Sequence, residues 1–196
     1  MLCAIFTIMC SFGDKNTFAI SYRPYERELT NDAFAYCHLI LGGHFIGSAE
    51  ESCLLGTWTL FLEDLQNHIK ANTGNLSDPL FSGLTEREIF ELIFKSNQLD
   101  EDFDPAFAHL PAQQTNDLWD KHVISLDETI DAYLIVLIEA EGKLKLIWKG
   151  WRDPCPQDEI GKLFSVIVDH DFFASTIDTC LDFLKTTYAE FLTGAK

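Results

Sequence analysis

The residues best suited to nucleophilic or metal chemistry in this chain are its six cysteines and six histidines. A thiol attacks only as the thiolate, which a nearby histidine, cation or helix N-terminus must stabilise. Cys3, Cys10, Cys37, Cys53, Cys155 and Cys180 are scattered, and no two form a C-x-x-C pair. Cys37 within AFAYCHLIL and Cys180 within TIDTCLDFL stand in apolar runs, where cysteine buries as a small hydrophobe. The spacing predicts reduced, structural thiols in a cytoplasmic protein, with a small cysteine/histidine-dependent hydrolase or thiol enzyme as the alternative. His38 and His44 flank Gly42-Gly43 and could meet across a hairpin, but two histidines without a third ligand make a poor metal site. The chain has no G-x-S-x-G, P-loop, G-x-G-x-x-G or H-E-x-x-H. The expectation is therefore no catalytic residue, no metal and no cofactor.

Carboxylates are the other abundant reactive group. Asp and Glu number 31 against 14 Lys and Arg, for a net charge of −17 and a pI near 4.5. Phosphate-rich partners require Lys and Arg, so nucleic acid and anionic membranes are disfavoured. A basic protein partner is favoured, because clustered acids accelerate encounter with one. Candidate contacts are Glu50, Glu51, Glu63 and Asp64, together with the run Asp100, Glu101, Asp102, Phe103 and Asp104. That run lies in an irregular stretch, 98–115, and a long loop within a domain is more often functional than a short one. Adjacent acids of this kind read as solvated charge rather than as an acid/base pair.

The elements that must position these residues follow from the apolar pattern. With 47% hydrophobic residues and no Gly/Ser/Pro-rich linker, the prior is one domain spanning 1–196. The apolar start, MLCAIFTIMCSF, lacks a basic n-region and a small-residue cleavage site; residues 2–10 read as an opening strand. Phe12 to Asn16 carry turn residues, and Phe18, Ile20 and Tyr22 alternate along a half-buried strand that Pro24 ends. Residues 33–41 and 44–46 form strands joined by the Gly-Gly turn. A helix over 54–69 should dock through Trp58, Phe61, Leu62, Leu65 and Ile69. Thr85 and Glu88 form a capping box, stapled by Leu84 and Ile89. The helix it opens should pack Ile89, Phe90, Ile93 and Phe94 into the same core. A hairpin over 132–148 places Lys143, Lys145 and Lys149 as edge protection; a strand over 163–168 and a helix over 171–191 close the chain. The fold class is α+β, a mostly antiparallel sheet of five to seven strands packed by three or more helices.

FGDKNTFAISYR, then AFAYCHLILGGHFIG, then LGTWTLFLEDL resembles the immunity-protein-42 family of bacterial polymorphic toxin systems. The matching elements are Phe12-Gly13-Asp14, Phe18-Ala19-Ile20, Gly42-Gly43, Ile46-Gly47 and the Leu-rich helix over 54–65, with the later Leu146-Ile147-Trp148 also similar. The likeness is good over 12–70 and weak beyond about 95. The chain departs from the pattern in having eleven residues before the turn, and in Phe34 and Tyr36 where a tryptophan is expected. The resemblance implies a non-enzymatic protein that binds and neutralises a cognate toxin domain made by the same cell. With the charge favouring a basic partner, the expectation is a cytoplasmic immunity protein whose acidic surface occludes the toxin's active site.

Overall fold

A computed structural model describes residues 9–25, 34–72, 74–95, 105–111 and 117–193. The proposed opening strand over 2–10 lies outside them apart from its last two residues. The first strand described, β1 (Cys10–Gly13), turns through Asp14, whose carboxylate accepts from Asn16 N–H at 2.9 Å, into β2 (Phe18–Pro24). Then come β3 (Phe34–Leu41), β4 (His44–Ile46) and the two-residue β5 (Cys53–Leu54). These pair antiparallel in the order β1-β2-β3-β4, with β5 beside the start of β3. The β3–β4 turn needs left-handed backbone at both central residues, and Gly42 (φ +55°) and Gly43 (φ +87°) supply it without a Cβ penalty. Helices α1 (Leu55–Asn72), α2 (Glu86–Lys95) and α3 (Asp117–His122) follow. The second sheet, β6 (Val123–Ile124), β7 (Tyr133–Ala140), β8 (Lys143–Gly150) and β9 (Leu163–Val168), is antiparallel in sequence order. The long α4 (His170–Thr193) completes the described chain. The expected α+β class holds, with the strands divided between two sheets.

One core joins both sheets. Phe18, Ile20, Leu39 and Leu41 from the first share it with Ile135, Leu137, Leu146 and Trp148 from the second, under Trp58 and Leu62 of α1 and Phe173 and Ile177 of α4. The Phe18 and Phe173 rings stack at 4.1 Å between centroids. β2 is buried on both faces, since Ala19 and Ser21 are as hidden as Phe18 and Ile20, so the half-buried expectation is corrected. On α1 the stripe narrows to Trp58, Leu62, Leu65 and Ile69, and Phe61 is left 36% exposed on its flank.

The opposite face of the second sheet carries a separate core. Val136, Ile138 and Ile147 meet Ile89, Phe90, Leu92 and Ile93 of α2 there, so α2 does not enter the core that holds α1. This explains why β7 is apolar in both registers, as a doubly covered strand requires. It also corrects the role of the lysines. β8 is central, between β7 and β9, and its lysines bind acids: Lys145 Nζ to Glu86 at 2.7 Å, Lys149 Nζ to Glu91 at 3.1 Å and Lys143 Nζ to Asp169 at 2.9 Å.

The start of α2 is built as a capping box. Glu88 Oε2 accepts from Thr85 N–H at 2.8 Å and from its hydroxyl at 2.7 Å, while Glu88 N–H donates back to Thr85 Oγ1 at 3.3 Å. Thr85→Ala is expected to cost about 1 kcal/mol, read from the urea midpoint at unchanged m-value; no shift would mean that tertiary packing alone fixes this helix start.

His122 is buried behind α3, its Nδ1–H donating to Leu137 O at 2.9 Å and its Nε2 without a partner. Burial, only partly offset by the Leu137 carbonyl, lowers its pKa from 6.5 to about 4. The unfolded chain therefore takes up this proton first, and stability must fall as pH drops from about 6.5 towards 4, by up to about 1.4 kcal/mol per pH unit. Denaturation midpoints across that window should show the slope, and His122→Gln should flatten it. An unchanged slope in the variant would contradict the assignment.

Candidate functional site

Where the two sheets part, a groove of about 640 Å³ opens between β5 with the first turns of α1 on one side and residues 125–131 on the other. Its apolar wall is Phe34, Leu54 and Phe61, with Leu126 facing them. Leu54 is 45% exposed beside the open cleft. Glu51, Asp127, Glu128 and Asp131 also line it, and the lining includes no Lys or Arg.

Local chemistry sets each side. On the first, Gly47 turns the chain after β4 with φ +111°, and a Cβ there would stand 2.8 Å from Thr129 O. Only glycine lets the loop approach this closely. Ser48 N–H then donates to Thr129 O at 3.1 Å, tying the two sides together. Ser48 O in turn accepts from His38 Nε2 at 2.7 Å, so His38 is the Nε2–H tautomer, and burial lowers its pKa. On the second side Asp127 caps the short 3₁₀ turn Glu128–Ile130 by accepting from Thr129 N–H at 3.0 Å. Trp151, 48% exposed, borders this side by donating its indole N–H to Asp131 O at 2.8 Å, and Arg152 stacks on that ring instead of reaching a groove carboxylate.

The groove gathers four carboxylates and no base in one lining. Elsewhere Lys70 meets Asp178, Lys121 meets Asp78 and Lys185 meets Glu63. Among the described residues, none of Glu51, Asp127, Glu128 and Asp131 joins an ion pair.

Of the residues singled out from sequence, the structure brings only Glu51 into this groove. Glu50 is exposed one residue before it, and Glu63 and Asp64 lie on α1 outside the lining. Asp100, Glu101, Asp102, Phe103 and Asp104 lie outside the described residues. Sequence reasoning passed over Asp127, Glu128 and Asp131, although SLDETID is itself an acid-rich stretch between two apolar segments. That they face Glu51 depends on the Gly47–Thr129 contact, which leaves no linear signal.

Cysteine and histidine chemistry gains no geometry. Cys3 lies outside the described residues; Cys37, Cys53, Cys155 and Cys180 are buried, and Cys10 is partly so. The Cys37 thiol is pushed up, first by its hydrogen bond with Cys53 and then by burial, and burial pushes Cys180 up to about 12. His38 and His44 do not share a site, since His44 pairs instead with Glu159 at 3.4 Å. Among the described residues no group of three or more His, Cys, Asp or Glu side chains is placed to hold a metal ion, and no helix is long and apolar enough to cross a membrane.

The Gly47 contact is testable by comparison with Gly43, which is also left-handed but has nothing within 4 Å of its Cβ position. Gly47→Ala should cost roughly 1–3 kcal/mol, and more than Gly43→Ala, in urea denaturation. Equal losses would show that the approach to Thr129 O places no constraint on the seam.

Against known families, residues 6–183 match the one described as Immunity protein 42. No curated protein and no solved structure matches the chain. The family match runs from the segment before β1 into α4, well past the 12–70 stretch in which the resemblance was clear in sequence. With both sheets, the groove and most of α4 inside it, the chain belongs to the immunity protein 42 family.

Proposed function

We propose that this protein is a cytoplasmic, non-catalytic immunity protein that binds a cognate toxin domain and neutralises it by occluding the toxin's active site. Membership of the immunity protein 42 family, over residues 6–183, is the observation that carries this reading. The charge of −17 and the groove carboxylates without ion pairs support a basic toxin as the partner. In this reading residues 1–196 act as one α+β domain, which the core common to both sheets supports. Glu50, Glu63, Asp64 and the acidic run Asp100–Asp104 with Phe103 are proposed as further contacts with the toxin beside Glu51. The cysteine-enzyme alternative is weakened by burial of Cys37, Cys53, Cys155 and Cys180 and by the raised pKa of Cys37, Cys155 and Cys180.

Co-expression with the toxin encoded beside this gene tests the reading. The toxin alone should stop growth, and this protein should restore it and co-purify with the toxin at fixed stoichiometry. The association rate should fall several-fold or more between low salt and 0.5 M salt, because exposed charges steer the encounter. Continued killing, or rescue without a complex, would overturn the proposal.

A further inference from the structure

We infer that the groove between β5–α1 and residues 125–131 is the primary docking site for the toxin, and that it takes an arginine-bearing, partly apolar segment of that protein. This rests on the immunity reading above and specifies the surface and the chemistry that reading leaves open.

Three observations converge on this surface. The first is concavity: the groove holds about 640 Å³, more than a single side chain fills, so a short segment of a partner can enter it. The second is charge. Glu51, Asp127, Glu128 and Asp131 line it with no base among them, in a protein that ties its lysines to other carboxylates. Like charges held together without a counterion repel one another, and a cation entering the groove relieves that repulsion. The third is the opposite wall. Leu54 and Phe61 expose 45% and 36% of their surface within the groove lining, and Leu60 beside Phe61 on α1 is 54% exposed. Thr129, also in the lining, holds a buried Oγ1 with no partner.

An acidic wall facing an apolar one suits arginine better than lysine. Its planar guanidinium offers five donors in a fork that matches carboxylates. It can also lie on the Phe61 ring face, while its methylene stem covers Leu54. A neighbouring apolar residue of the same segment would extend the contact along Phe34. Desolvating such pairs inside a groove makes them far more consequential than the same acids on a flat surface.

The test compares two double charge reversals that change the net charge equally. Glu51→Lys with Glu128→Lys alters the groove; Glu141→Lys with Asp158→Lys alters exposed acids outside its lining. Both avoid Asp127, which caps the 3₁₀ turn. Each protein is checked for folding by urea denaturation, and its Kd for the purified toxin is measured at fixed salt. The groove variant should bind about 100-fold or more weakly and fail to restore growth, whereas the control should stay within about threefold of wild type. The milder pair Glu51→Gln and Phe61→Ala, one on each wall, should each weaken binding about tenfold, and they serve if the reversal fails to fold. Wild-type affinity in the groove variants overturns the docking site while leaving the immunity reading intact. Equal losses in groove and control variants overturn it too, because net charge alone would then explain the binding. Absence of binding by the wild-type protein overturns the immunity reading and, with it, this site.

Discussion

The structure depends on a single apolar core held jointly by two separate sheets. Phe18, Ile20 and Leu39 on one sheet and Ile135, Leu146 and Trp148 on the other are covered by the same pair of helices, α1 and α4. Neither sheet could bury its inner face alone, because the first is short-stranded at β4 and β5 and the second needs α2 on its far side. Two twisted sheets sharing one core meet along part of their length and diverge elsewhere. The groove lies where they diverge, and the Gly47–Thr129 contact with the Ser48 hydrogen bond marks where they still touch. The same packing that stabilises the molecule therefore creates this apolar-walled acidic cleft.

Charge distribution follows from that packing. The chain has few bases, and the structure uses them to join elements: Lys145 and Lys149 fasten α2 to β8, Lys70 and Lys185 bridge α1 and α4, and Lys121 holds Asp78. Acids that face these lysines become part of the scaffold. Other acids, such as Glu141 and Asp158, are exposed without an ion pair among the described residues, whereas the four that line the groove share one concave surface, where their field is focused rather than dispersed. Surface ion pairs contribute little individually to stability, so their larger consequence here is where they leave negative charge unopposed.

Much of the fold was legible because its signals are local. The Thr85–Glu88 box and the Gly42-Gly43 turn are local and form as read, and the α1 stripe of Trp58, Phe61, Leu62, Leu65 and Ile69 forms except for Phe61, which is 36% exposed. What escaped was set by distant contacts. Continuous apolarity in β7 could mean one deep core or two shallow ones, and only α2 on the outer face decides it. Alternating lysines on β8 look the same whether they guard an edge or bind a helix across a central strand. The groove is the extreme case: Glu51 was legible as an exposed acid, but its partners in SLDETID are brought to it by the Gly47 approach. Surfaces that recognise a partner leave no repeating pattern, so the family likeness pointed to a function while the residues that perform it stayed hidden.

The proposed docking site for the toxin is the groove between β5–α1 and residues 125–131. Hydrogen exchange on the free protein and on its complex with the purified toxin addresses this without mutating either. The account predicts slowed exchange on binding concentrated at residues 48–57 and 125–131, with the outer face of α2 and the β9 edge unchanged. Protection confined to α2, β9 or the far end of α4, with the groove exchanging as in the free protein, would contradict it.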